Sequence, residues 1–370
     1  MKRIAITGSS GYIGQRLVAA FRDAGGTVLG IDVRAVNDGV VPDEFCECDI
    51  RDPTLIDSVR DFQPDTIIHC AFVIRPLHDA GEMSDINIGG TENVLSIAEQ
   101  IAPARFLFIS SATAYGAWPE NPVPLPDETQ VRPRPEYQYA AEKTALEGRV
   151  SALAEKCPEI AVSWVRPAVV GGPGMDNFLS RFMFGLPMLL KLDGFDQPLQ
   201  FVHECDVVGA IQAVLSADGR GAFNLGPPNW TMTSEVAKET NRRIIPMPFR
   251  IAYGAVWLMW KLRFPLYESP PGFLYFGRYP WVVAPDRLCN EIGYRFRYSS
   301  TETMKETVKR QTRQRRAAWT STGPPTVAVA TTSNIYSWGS DSLAIDRAVD
   351  HAVHARIIRV PQLLRYRSES

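Results

Sequence analysis

The chain has 370 residues and six cysteines, 45% apolar and 22% charged residues, and a formal charge of −2. That length allows one large α/β domain or two modest ones, and the small net charge gives no electrostatic reason to expect a nucleic-acid or anionic-membrane partner. The cysteines are too scattered for a disulfide framework, no stretch approaches the ~20 apolar residues of a spanning helix, and no signal-peptide pattern opens the sequence, so a cytoplasmic protein with reduced thiols is expected.

In chain order, short runs rich in β-branched residues alternate with helical patterns. Ile4-Ala5-Ile6 predicts a strand, and a helix follows through Leu17, Val18 and Phe21. Residues 28–31, 66–69, 106–109 and 161–165 predict further strands, with helices over 53–61, 85–101 and 137–156. Cys46 and Cys48, two residues apart on one strand, are read as poorly placed for a metal pair. No metal site is expected elsewhere. Strands apolar on both faces, separated by helices, predict a parallel sheet covered on both sides. That is a doubly wound, Rossmann-type α/β fold.

After Arg166-Pro167 proline and glycine punctuate more often, and 199–202 and 222–225 stand as isolated strand candidates. The expected organisation is a dinucleotide-binding Rossmann domain over 1–165, then a smaller C-terminal substrate lobe over 166–310, partly interleaved with it. A tail over 311–370 is expected to be partly disordered. Within the lobe, 249–282 holds eleven aromatic residues, including Trp257, Trp260 and Trp281. They suit the lobe core or the lining of a substrate cavity, with docking of the apolar run 251–262 on a membrane surface as the lesser reading.

The loop Gly8-Ser9-Ser10-Gly11-Tyr12-Ile13-Gly14 joins the first predicted strand to the first helix. One glycine allows the tight turn, another lets backbone amides approach a pyrophosphate, and the third lets helix and strand pack closely. The helix N-terminus presents N–H groups and the positive end of its dipole to the phosphates. Asp32 closes the second strand 18 residues beyond Gly14. A carboxylate there accepts from the adenine-ribose hydroxyls and repels a 2′-phosphate. NAD is therefore expected over NADP, with Arg34 as the residue that could instead partner a phosphate.

Tyr139 and Lys143 lie four apart on a predicted helix and so share one face. An ammonium nearby favours the phenolate of a tyrosine that otherwise ionises near pH 10, and such a pair can move a proton to or from a substrate oxygen. Ser110 and Ser111 follow a predicted core strand at the end where doubly wound folds bind ligands. A hydroxyl there suits a carbonyl oxygen as charge develops on it.

Together these elements resemble the extended short-chain dehydrogenases/reductases, the NAD-dependent epimerase/dehydratase family, over roughly residues 2–310. The matching motifs are Thr7-Gly8-x-x-Gly11-x-x-Gly14, Asp49-Ile50, His69-Cys70-Ala71, Asn87-x-x-Gly90-Thr91, Ser110-Ser111-x-x-x-Tyr115-Gly116, Tyr139-x-x-x-Lys143, Arg166-Pro167 with Gly172-Pro173, and Phe201-Val202-His203-x-x-Asp206-Val207. The resemblance implies Tyr139 as catalytic acid/base, and Lys143 as its partner and a holder of the nicotinamide ribose. Ser111 would orient the substrate carbonyl. It also implies cofactor contacts from Gly8, Ser10, Gly11, Tyr12, Ile13, Gly14, Asp32, Asp49, Ile50, Ala71, Asn87 and Pro167. His203 and Asp206 are expected to brace the lobe junction rather than react. A homodimer packed through 85–101 and 137–156 is what the family implies.

Departures from the family pattern bear on substrate. Ala112-Thr113-Ala114 stands where the family's 4,6-dehydratases carry an Asp-Glu pair, which argues against dehydration. Val169 replaces an asparagine common in the sugar-nucleotide enzymes. Leu199 and Gln200 occupy the neighbourhood of an arginine that grips the diphosphate, a strong charge-assisted contact; Arg181 or Arg220 are the possible substitutes. The expectation is an NAD-dependent oxidoreductase or epimerase acting at a secondary alcohol or ketone of a small molecule, with an apolar or lipid-linked substrate favoured. The alternatives are a nucleotide-sugar 4-epimerase and a non-catalytic NAD-binding sensor or assembly protein.

Overall fold

The computed structural model describes residues 2–35, 39–175, 183, 188–264 and 269–310. The expected tail over 311–370 lies outside the described residues, as does Arg181. Six strands alternate with helices in the first part of the chain: β1 (Arg3–Thr7), β2 (Thr27–Asp32), β3 (Glu44–Glu47), β4 (Thr66–His69), β5 (Arg105–Ile109) and β6 (Ala161–Pro167). The main helices are α1 (Tyr12–Asp23), α2 (Leu55–Phe62), α3 (Ala80–Ser84), α4 (Gly90–Ile101) and α5 (Gln138–Lys156). A π-helical segment, Asp85–Gly89, joins α3 to α4. The pattern of 85–101 marked this helix correctly but started it late.

The seven-stranded main sheet runs, from one edge to the other, through the strand Gly221–Leu225, then β6, β5, β4, β1, β2 and β3. Every pairing in it is parallel. Ile4, Ala5 and Ile6 of β1 are fully buried, as a strand covered on both faces requires. On one face α1 buries Leu17, Val18 and Phe21 with Val207, Ala210, Ile211 and Val214 of the helix Glu204–Ser216. On the other, α2, α4 and α5 bury Leu55, Val94, Leu146 and Val150. The strand order reverses between β1 and β4. A crevice therefore opens beyond their carboxyl ends, the usual ligand position of a doubly wound sheet.

The segment after 166 is less separate than a distinct lobe. Its strand Gly221–Leu225 pairs with β6 and completes the main sheet. The rest forms short pairs above the crevice: Phe201–His203 with Val169–Gly171, Pro198–Leu199 with Thr231–Met232, and Arg243–Met247 with Met188–Leu192. The predicted strand 199–202 is thus two strands, divided at Gln200. That side chain is buried and spans three backbone groups, donating to Pro227 O and Val283 O and accepting from Val283 N. The helix Phe249–Lys261 lies over this region with Phe249, Ala252 and Val256 buried.

Candidate active site

Gly8 sits at φ +68°, and a Cβ there would fall 2.6 Å from the Ala71 backbone nitrogen. A Cβ on Gly14 would fall 2.0 Å from the Gly8 carbonyl oxygen. Both glycines are therefore required by close backbone approach, at the turn and where α1 crosses β1. The α1 N-cap is Gly11, which has no side chain to accept from the first-turn N–H groups, and no acidic residue lies in that turn. Such a terminus suits an anion. Asp32 Oδ2 accepts from Ser10 N at 3.0 Å and Ser10 Oγ donates to Arg34 O at 2.6 Å. The carboxylate thus holds the glycine loop while facing the crevice.

Gly8, Gly11, Tyr12, Ile13, Gly14, Asp32, Asp49, Ile50, Ala71, Ser111, Tyr139, Lys143 and Pro167 all line one cavity of about 1310 Å³. Two of the expected cofactor contacts do not. Ser10 is turned into its bonds with Asp32 and Arg34. Asn87 is fully buried behind the wall, accepting from Val73 N at 2.8 Å and donating to Glu142 Oε2 at 2.8 Å. It ties the loop after β4 to α5, and its place is that of a brace. The Asp49 carboxylate is clasped by Arg51 at 2.7 Å, which lowers its pKa. Ile50 packs under Gly90, where a Cβ would fall 2.5 Å from its Cδ1.

The reactive residues converge where β5 ends against α5. Lys143 is almost fully buried; its Nζ donates to Ile109 O at 2.6 Å and lies 3.5 Å from the centre of the Phe72 ring. Burial lowers its pKa to about 7. Tyr139 packs edge-on against Phe72 and beside Tyr137, with Ser111 close enough to influence its hydroxyl. Burial raises its pKa to about 12, with Ser111 acting in the opposite direction. Ser111 Oγ accepts from Thr113 N at 3.2 Å and from Thr113 Oγ1 at 2.9 Å.

Buried networks hold this set in place. Glu147 of α5 accepts from Ser110 Oγ at 2.5 Å and from Arg166 Nη2 at 2.6 Å, and Arg166 also donates to Tyr115 Oη at 2.6 Å. The Arg-Pro and Ser-x-x-x-x-Tyr motifs are thereby joined through one glutamate. His69 accepts from Thr7 and donates to Thr91, whose own hydroxyl is committed to Asn87 O. Burial drops its pKa to about 3, so it stays neutral. His203 caps the helix Glu204–Ser216 and stacks on Tyr298, while Asp206 accepts from Tyr294 Oη and the Arg297 and Tyr298 amides. Both are fully engaged in bracing.

Several functional neighbours were not marked by the sequence pattern. Phe72 and Tyr137 frame the reactive pair; single aromatic residues in a loop carry no periodic signal. Glu204 accepts from Tyr12 Oη and Gly174 N and pairs with Arg16 at 3.0 Å, linking α1 to the loop at 172–174. Cys46 and Cys48 both pack against the core cluster under α2, α4 and α5, as residues two apart along a strand do. The strand ends at Glu47; Cys46 Sγ donates to Ser58 Oγ at 3.5 Å and Cys48 Sγ to Asp49 O at 3.3 Å, and burial, with Cys46 nearby, raises the Cys48 pKa.

Beyond Tyr139 the cavity runs under the later segments and changes character. Its described lining residues from 167 onward are apolar, with Thr233 as the one polar side chain among them. Met188, Leu190, Leu192, Met247, Val256 and Met259 form one wall, and Phe273, Phe276 and Trp281 another. Arg220, a possible diphosphate ligand, instead donates to Ile160 O at the opposite end of β6. Leu199 and Val169 both face the cavity.

This fold and this site define a doubly wound α/β protein with a Ser–Tyr–Lys constellation beside a dinucleotide-type loop. Residues 4–226, more than half of the chain, match the model of the NAD dependent epimerase/dehydratase family, and the chain belongs to that family. It is an enzyme family of the extended short-chain dehydrogenase type. An uncharacterised protein of Mycobacterium tuberculosis (strain ATCC 25618 / H37Rv) is 28% identical over 320 residues, 82% of this chain and 83% of its own length. A structure of MoeE5 with UDP-glucuronic acid and NAD superposes with a TM-score of 0.66 at 21% identity, covering 84% of this chain and 99% of that one. The UDP-glucose 4-epimerase of Thermus thermophilus in complex with NAD gives a TM-score of 0.63 at 23% identity, covering 83% and 98%. Among the described residues no helix is long and apolar enough to cross a membrane.

Proposed function

We propose that the chain is an NAD-dependent oxidoreductase or epimerase acting at a secondary alcohol or ketone carbon of an apolar or lipid-linked substrate. The observation that carries the substrate class is the apolar lining beyond Tyr139. A nucleoside diphosphate needs charge-assisted donors, and among the described residues from 167 onward none that lines the cavity is a lysine or arginine; the arginines that line it, Arg34 and Arg75, lie in the loops after β2 and β4. The UDP ligands of the structural neighbours favour the nucleotide-sugar reading; the lining weighs against it.

Gly11, Ile13 and Gly14 would hold the pyrophosphate, Asp32 the adenine ribose, Asp49 and Ile50 the adenine edge, and Lys143 the nicotinamide ribose. Bound NAD supplies the hydride acceptor. Tyr139 Oη takes the substrate hydroxyl proton as the C–H bond breaks, and Ser111 Oγ hydrogen-bonds the oxygen that becomes the carbonyl. Water is kept out by Phe72, Tyr137 and the apolar walls. The same residues would serve an epimerase, with Tyr139 returning the proton to the substrate oxygen, or a dehydrogenase, with the ketone released. A homodimer through α4 and α5, working in the cytoplasm, belongs to the same proposal. Sedimentation of the purified chain tests the dimer.

Met247→Arg tests the substrate class. A guanidinium in the apolar wall should lower kcat/KM for an apolar alcohol at least tenfold with NAD affinity unchanged. Improved turnover of a UDP-hexose by the parent over any apolar alcohol, or no effect of the arginine, contradicts the proposal.

A further inference from the structure

The helix Phe249–Lys261 divides its circumference three ways. Phe249, Ala252 and Val256 face the core. Ile251, Ala255, Leu258 and Leu262, spaced i, i+4, i+7 and i+11 and continuing one residue past the helix end, form an exposed apolar stripe. Ile251 is 62% exposed, Leu258 50% and Leu262 68%. Arg250, Trp257 and Lys261 form the adjoining stripe, with the Lys261 ammonium 4.9 Å from the Trp257 ring centre. Arg263 and the exposed Phe264 follow. Residues 249–264 contain three basic side chains and no acidic one.

The apolar stripe is continuous with the cavity. Ile251, Ala255 and Phe264 are exposed and line it, as do Ile74 of the loop after β4 and Met188. The mouth is therefore rimmed by exposed apolar residues from three segments, with the exposed Arg75 beside Ile74 and further cations along the helix. An aqueous substrate gains nothing from such a rim, whereas a bilayer matches both halves: apolar side chains enter the acyl boundary, and Arg250, Lys261 and Arg263 meet anionic headgroups. Trp257 stands at the level where an amphipathic ring favours the interface.

We propose that this surface docks on an anionic lipid bilayer, with the helix lying in the interface and the cavity mouth open to the membrane, so that substrate enters from lipid. The proposal rests on the apolar-substrate reading for its purpose and on the rim alone for its geometry.

The test is co-sedimentation of the full chain with phosphatidylcholine vesicles and with vesicles that also contain phosphatidylglycerol. The parent should bind the anionic vesicles at low salt and lose at least tenfold in partition at 1 M salt, where the screening length falls to about 3 Å. Leu258→Glu/Leu262→Glu, which changes residues outside the cavity lining, should lose vesicle binding at least tenfold while keeping NAD affinity and turnover of a short water-soluble alcohol. Arg250→Glu/Lys261→Glu should erase the preference for anionic vesicles. Absence of vesicle binding by the parent overturns the docking proposal, as does equal binding by the leucine variant or its conversion of a larger oligomer to a smaller one. Turnover of apolar alcohols without vesicle binding would leave the catalytic reading standing. Vesicle binding without turnover of any apolar alcohol would remove the substrate reading and leave the docking surface.

Discussion

Lys143 Nζ lies 6.0 Å from the centre of the Tyr139 ring, one helical turn along α5, and is held there by the Ile109 carbonyl rather than by the phenol. Burial pushes the two groups in opposite directions, the lysine down to about 7 and the tyrosine up to about 12. The lysine therefore gives up its proton first. Loss of one proton from the two groups leaves a neutral amine with a phenol as the favoured species and an ammonium with a phenolate as the minor one. The second form is the base that the reaction needs. The expectation that the lysine lowers the tyrosine does not hold in the resting site, where burial raises the phenol and Ser111 is what opposes that rise.

The rate of alcohol oxidation should accordingly rise with pH through a limb near 7 and level off before pH 9. Lys143→Met should move that limb toward the isolated buried phenol, above pH 10. A parent profile still climbing at pH 10 contradicts the pairing.

The same depressed lysine makes a stability prediction. Its folded value lies below its usual 10.5, so between about 7 and 10.5 the unfolded chain binds more protons and stability rises with pH through that window. The penalty is fully present below 7 and fades toward 10.5. Thermal unfolding should show Lys143→Met gaining on the parent most at pH 6–7, with the gap closing toward pH 10. A gap independent of pH would refute the assignment.

Removing the phenol or the serine hydroxyl should separate binding from chemistry. Tyr139→Phe should bind NAD as the parent does, with kcat lower by ~10²–10⁴. Ser111→Ala should lower kcat by ~10²–10³ through loss of one donor to the developing charge. Parent-level turnover by Tyr139→Phe would remove Tyr139 from the acid/base role.

Arg166 and Glu147 have side chains only 7% and 4% exposed and bond at 2.6 Å. Arg166→Ala leaves a buried carboxylate without its partner, which costs on the order of 3–5 kcal/mol. Denaturant unfolding should record that loss, and a change under about 1 kcal/mol would mean that the network is not structural.

The main sheet was legible because strands apolar on both faces and the glycine loop each carry a strong local signal. The crevice followed from topology, and Tyr139 with Lys143 followed from a four-residue spacing on α5. The membership of Gly221–Leu225 in the main sheet was not legible, because an isolated apolar run does not reveal its partner. Asn87 illustrates a different gap: its motif marked its place near the crevice, and only the contacts to Val73 and Glu142 distinguish a brace from a ligand. Phe72, Glu204 and the exposed stripe on Phe249–Lys261 depend on tertiary neighbours that no sequence period encodes.

The Ser111–Tyr139–Lys143 site is proposed to act on an apolar alcohol through NAD. Its most direct measurement is reduced-cofactor formation by the purified chain with NAD and a matched panel of bulky apolar secondary alcohols and UDP-hexoses. Saturable turnover with members of the apolar set, and none with the UDP-hexoses, is expected. Saturable conversion of a UDP-hexose, with the apolar alcohols inert, would contradict it.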